Sequence, residues 1–224
     1  MQNKLLLILA FAVLLSGCAV PGPDKEYLDK IHTYKPVSIL VVPVNNATID
    51  VMAPTSVLAT LPTTLAEKGY YVFPVNTVKT ILEAEGYYEP AEIHLAPTEN
   101  LAELFGADTV LYVKIHEWEA KYILLSTTTE VDFEYTLKDR TGVTLWQARQ
   151  NLAYTPQSDS TGNPFADLIV MAVTAAIERA APNYLPLTRQ ANGQAFHNVQ
   201  RGLPPGPYSP LHEVYYKELS EIEE

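Results

Sequence analysis

The chain has 224 residues, 47% of them hydrophobic, with 26 acidic side chains against 15 basic ones and a formal net charge of −11. A chain of this size can bury one core of ordinary dimensions, and the acidic excess disfavours partners built of phosphates, nucleic acid above all. Cys18 is the sole cysteine, so no disulfide can form within the chain and burial must hold the fold.

The amino terminus reads as a targeting segment over residues 1–17. Lys4 precedes an unbroken apolar run from Leu5 to Leu15, which as a helix would rise only about 16 Å against the roughly 30 Å hydrocarbon core of a bilayer. It is a signal peptide and not a permanent span. Its last residues, Leu15-Ser16-Gly17 before Cys18, resemble the bacterial lipobox, in which the cysteine thiol receives a diacylglycerol and becomes the first residue of the mature protein. Covalent lipid on Cys18 is therefore the anchor to the membrane, and no other cofactor is expected. Ala19, not aspartate, follows the cysteine, which favours the outer membrane; the periplasmic and surface-facing orientations both stay open.

Residues 18–35, with Pro21, Gly22 and Pro23 among charges, read as a lipidated tether. The domain is expected over 36–182. Ser38 to Val44 is an apolar, β-branched run suited to a sheet covered on both faces. Pro54 to Lys68 carries Val57, Leu58, Leu61 and Leu65 on one helical face, with Pro62 expected to kink or divide the helix. Tyr70 to Val75 reads as a strand, and Asn76 as the cap of a helix with Val78, Ile81 and Leu82 inward. Thr98 to Phe105 reads as a threonine-capped helix with Leu101, Leu104 and Phe105 inward and Gly106 as its stop. Alternating patterns then predict a meander at Asp108–Trp118, Thr129–Leu137 and Val143–Tyr154, turning at Asp139–Gly142. The clearest helical period runs from Asn163 to Ala181, with Val170 and Met171 apolar on its second side. The whole reads as an α/β (α+β) domain, β-α-β-α-α-β-β-β-α, on a mixed sheet of about five strands. Residues 183–224 form a proline-rich arm ending in a short acidic helix.

No phosphate loop, dinucleotide fingerprint, nucleophile elbow or zinc-protease motif occurs. His32, His94, His116, His197 and His212 are scattered at no metal-ligand spacing. These absences favour a non-enzymatic binding or assembly module. Glu130, Asp132 and Glu134 line one strand face and suit a cation or a basic peptide, but a simple hairpin would set Asp132 opposite Arg149, and a solvated face with a cross-strand pair is the favoured reading. Tyr70, Tyr71, Phe73, Tyr87, Tyr88, Tyr112 and Trp118 suit either a glycan platform or half-buried sheet faces. The stretch holding Pro204, Pro205, Pro207 and Tyr208 is a docking peptide, a strap over its own domain, or a disordered tail. Val170 and Met171 are the other candidate partner surface, for a homo-oligomer or a second lipoprotein.

Several segments carry a family likeness: Tyr34-Lys35-Pro36 with Ser38 to Pro43; Leu65 with Gly69 to Pro74; Ala91 with Ile93-His94; Phe105-Gly106-Ala107-Asp108 with Val110-Leu111-Tyr112; and Leu145-Trp146. On these the chain resembles a family of bacterial lipoproteins of unknown function that includes a meningococcal vaccine-candidate surface lipoprotein. Its domain looks like those of the curli-secretion outer-membrane lipoprotein, the amino-terminal domain of the Tol-system translocation protein, and lipoprotein activators of peptidoglycan synthases. The resemblance brings no catalytic residues. It implies an envelope accessory that holds protein partners, in a curli-secretion-like complex or, alternatively, as activator of a peptidoglycan synthase. An enzyme with an unrecognised site is the third reading.

Overall fold

The computed structural model describes residues 25–123, 126–154 and 184–223. In chain order its elements are α1 (Lys25–Tyr34), β1 (Ser38–Val41), β2 (Asn45–Asn46), α2 (Ala53–Glu67), β3 (Tyr71–Val72), α3 (Val75–Ala84), α4 (Pro90–Leu95), α5 (Thr98–Phe105), β4 (Thr109–Ile123), β5 (Ser126–Asp139), β6 (Thr144–Tyr154), α6 (Leu185–Phe196) and α7 (His212–Glu223). The strands make one mixed sheet in the order β3-β1-β4-β5-β6, with β2 also beside β4. The expected α/β class and mixed sheet are present, with six strands in place of about five.

The apolar run at Ser38 sits in the middle of this sheet, which is why it is buried at every residue of β1. β1 runs parallel to β3 and β4, and β2 resumes its lane along β4 four residues later. β4, β5 and β6 are the antiparallel meander. Alternate residues then divide between two layers. On the larger side Leu111, Val113 and Ile115 of β4 and Val131, Phe133, Tyr135 and Leu137 of β5 meet Leu28 and Ile31 of α1, Val57, Leu61 and Leu65 of α2, and Leu187, Ala191 and Phe196 of α6. On the smaller side Leu40, Val42, Val110 and Tyr112 meet Val78 and Leu82 of α3, Ile93 of α4 and Leu101 of α5. Among the described residues that second layer covers β1 and the start of β4, and the same face of β5 and β6 carries the charged residues of the meander.

Several expectations are corrected. Lys25–Tyr34 is a helix, not tether, because Leu28 and Ile31 one turn apart are wholly buried against the core. Pro62 does not divide α2, which is continuous from Ala53 to Glu67. Burial of Val57, Leu61 and Leu65, about 1.5–3 kcal/mol each, outweighs the roughly 3 kcal/mol cost of an interior proline. Asn76 does not cap α3; Pro74 precedes its first turn with no side-chain cap. Pro97, not Thr98, is the residue before α5, and Leu104 faces solvent while Ala102 is buried. Gly106 does end α5, in the left-handed conformation at φ 65°. The strand expected over Tyr70–Val75 shrinks to Tyr71–Val72. The region read as an arm from 183 begins with α6, a core helix. The helix expected over Asn163–Ala181 lies outside the described residues.

Candidate functional site

The residues that carry the family likeness fasten the sheet together. Asp108, just before β4, accepts hydrogen bonds through Oδ2 from the Val37 and Ser38 backbone N–H groups and from Ser38 Oγ, each at 3.1 Å. Its own N–H donates to Ser38 Oγ at 2.9 Å, and the Tyr34 hydroxyl donates to its carbonyl oxygen at 3.0 Å. Arg140 reaches Asp108 Oδ1 at 3.3 Å. One short acidic side chain thus ties the entries of β1 and β4, 70 residues apart in sequence, at the point where the two strands become neighbours.

Further buried polar groups are committed in the same way. The Tyr135 hydroxyl donates to Asn192 Oδ1 at 2.8 Å, and Asn192 Nδ2 donates to Thr60 Oγ1 at 2.9 Å, so a strand and two helices share one chain of bonds. Burial pushes the Tyr135 hydroxyl far above its ordinary range. His94 Nε2 donates to the Pro43 carbonyl at 2.9 Å. Burial, and to a lesser extent Lys138 and Lys114, lowers the His94 pKa below 6.5. Among the described residues no group of three histidine, cysteine or acidic side chains has the arrangement of a metal site.

The carboxylate row is half spoken for. Arg149 binds Asp132 in a fork, with Nε at 3.0 Å from Oδ1 and the terminal nitrogen at 2.6 Å from Oδ2. The partner is the one expected but the register is not. A shift between Leu137 and Lys138 places Asp132 opposite Asn151 and Glu134 opposite Arg149, so the pair is diagonal. Glu134 Oε2 lies 2.8 Å from His116 Nε2.

Most of the aromatic residues are structural. Tyr70 and Tyr112 are buried; Trp118 is buried and stacks on Tyr184 with centroids 4.2 Å apart. Of those seven aromatic residues Tyr71 and Tyr88 alone are well exposed, which fits the half-buried sheet-face alternative better than a glycan platform. The proline-rich stretch is a strap. Leu203 and Pro204 are buried, and the Tyr70 hydroxyl donates to the Pro204 carbonyl at 2.8 Å. The N–H groups of Gly206 and Tyr208 donate to the carbonyls of Lys68 and Gly69. The contact is so close that a Cβ on Gly69 would run into the Ser209 backbone. Of the candidate partner residues, Pro204 is therefore turned inward, Pro205 is half-buried, and Pro207 and Tyr208 are exposed. Cys18, Val170 and Met171 lie outside the described residues. Past the strap, α7 packs on α1: His32 Nε2 and the Tyr215 hydroxyl are 2.8 Å apart, and the Lys35 ammonium sits 4.6 Å from the centre of the Tyr216 ring.

One feature had no sequence signal. β2 keeps to β4 as far as the bond from the Ala47 N–H to the Ile115 carbonyl, and then leaves. Asn46 Oδ1 accepts from the Thr48 N–H, and Asp50 Oδ1 accepts from the N–H groups of Met52 and Ala53, turning the chain into α2. β4 continues to Ile123, with a bulge between Ile115 and Glu117. Among the described residues no strand accompanies it on that edge beyond Ile115. A cavity of about 630 Å³ opens there between the Ala47–Asp50 loop and residues 116–119. Trp118 lines it, is 5% exposed, and its indole N–H has no hydrogen-bond partner.

Residues 27–208 match the family described as GNA1162-like lipoproteins. A lipoprotein of Neisseria meningitidis serogroup B, strain ATCC BAA-335 / MC58 (NMB1124/NMB1162), is 32% identical over 200 residues, which are 88% of this chain and 90% of that protein. The crystal structure of lipoprotein GNA1162 from Neisseria meningitidis is similar with a TM-score of 0.53 at 34% identity, covering 66% of this chain and 100% of that one.

Proposed function

Since the chain belongs to the GNA1162-like lipoprotein family, a family of the cell envelope, we propose that it is acylated at Cys18, held at the outer membrane, and works by gathering protein partners without catalysing a reaction. The observation that supports this reading is a division of labour among side chains. Polar groups with chemistry to offer are spent on holding elements together: Asp108 on Ser38 and Arg140, Asn192 on Tyr135 and Thr60, His94 on Pro43. Large apolar side chains are instead left in water, with Ile49, Val51 and Met52 together on one loop at 102%, 83% and 61% exposure. Exposed apolar clusters of this kind are what protein contacts use.

The test is crosslinking in intact cells followed by mass spectrometry, with fatty-acid-analogue labelling alongside. The expected result is label on the wild-type protein, none on Cys18→Ser, and crosslinks to a second envelope lipoprotein, of the curli-secretion type in the favoured version. Crosslinks confined to a peptidoglycan synthase would replace assembly with regulation. Label retained by Cys18→Ser would overturn the anchor, and an isolated protein that turns over substrate would overturn the non-enzymatic reading.

A further inference from the structure

We infer that the open edge of β4 beyond Ile115 is a strand-addition slot for a partner protein, taking an extended segment in which apolar residues alternate with basic ones. This rests on the partner-binding reading and assigns it a place and a chemistry. The lane is already cut: β1 and β2 fill it along β4 up to Ala47, and the chain then turns away while β4 runs on for eight more residues. An open strand edge presents a row of backbone donors and acceptors ready for another chain. The cavity of about 630 Å³ at the point of departure leaves room for a segment to enter beside residues 116–119.

The Trp118 indole points to an acceptor supplied from outside. A buried N–H without a partner costs roughly 1–3 kcal/mol, and among the described residues Trp118 Nε1 is the buried side-chain nitrogen or oxygen that lacks one. A backbone carbonyl of an added strand has the right chemistry to satisfy it. The rim selects charge. Asp50, Glu117 and Glu119 flank the opening, while Asp132 and Glu134 on the next strand are already engaged by Arg149 and His116. Ile49, on the loop that turns the chain away, is fully exposed and gives the entrance an apolar side. A second copy of this acidic chain would meet that rim with like charge at its net −11, so the occupant is a different, basic protein.

The experiment uses the full lipoprotein in detergent and two eight-residue peptides, one alternating lysine and valine, the other glutamate and valine. The lysine peptide should bind, and hydrogen exchange should slow at those alternate backbone amides of residues 118–123 that do not bond β5. Glu117→Lys should weaken that peptide about tenfold and favour the glutamate peptide. Trp118→Phe, which keeps the ring and removes the N–H, should weaken binding about fivefold without lowering the thermal unfolding midpoint. Equal binding of both peptides, or protection elsewhere on the surface, overturns the slot. Protection of the same amides that grows with protein concentration and needs no peptide makes a second copy the occupant and also overturns it. If crosslinks in cells find a partner but none of them involve a probe placed at Ile49 or Glu117, the slot fails while the assembly reading stands.

Discussion

The two faces of the sheet are built by different rules. The smaller layer is local: α3, α4 and α5 follow one another within residues 75–105 and pack on β1 and the first residues of β4. The larger layer is gathered from distant parts of the chain, with α1 and α2 from its first third and α6 and the strap from beyond residue 184. Each buried side chain is worth about the same on either side, so stability should follow the larger layer, whereas removing a piece of the smaller one should leave the rest in place.

Phe196→Ala tests this most severely. The ring is fully buried against Tyr135 and Trp146, with centroids 5.2 and 5.4 Å away, and its loss should cost about 3–5 kcal/mol in urea unfolding. A cost below about 1 kcal/mol would mean that the layers contribute independently of their reach. Gly69→Ala sharpens the comparison at the strap. With φ at 94° and the Ser209 backbone against the added Cβ, the substitution should cost about 1–3 kcal/mol. It should also speed protease cleavage within residues 198–211, with the smaller layer unaffected. The smallest effect is expected from His94, which belongs to the smaller layer. Burial lowers its folded pKa below 6.5, so the unfolded chain binds the proton more readily. Stability is therefore full above pH 6.5 and falls as the pH drops through that value. His94→Gln should flatten the fall between thermal melts at pH 7.5 and 5.0; an identical slope in the variant would show that another group controls it.

The same division explains what could be read from the sequence. Thr98–Phe105 and the alternation of β4 and β5 were legible because the pattern and the partner are close along the chain. α6 was not. Its inward face mixes Leu187 and Ala191 with Thr188 and Asn192, and these polar residues break the apolar period while being wholly buried. Asn192 is acceptable there only because Tyr135 and Thr60, 57 and 132 residues away, complete its bonds. α1 leaves no helical signal in the sequence because two buried residues, Leu28 and Ile31, are too few to set a period amid charges. The Asp132–Arg149 pair was anticipated and its diagonal geometry was not, since a bulge leaves no trace in composition. The slot beside β4 is harder still, being a place where a strand stops.

The contact between α1 and α7 also sets a schedule. His32 and Tyr215 are 183 residues apart, and the larger layer needs α6 and the strap before Leu28 and Ile31 have all their neighbours. A chain synthesised from its amino terminus presents α1 before its neighbours, yet that helix has no finished site to dock in until α6 and the strap have followed. Contacts of such long range fold slowly. α1 is therefore among the last pieces to be locked, although its residues are made before those of every strand.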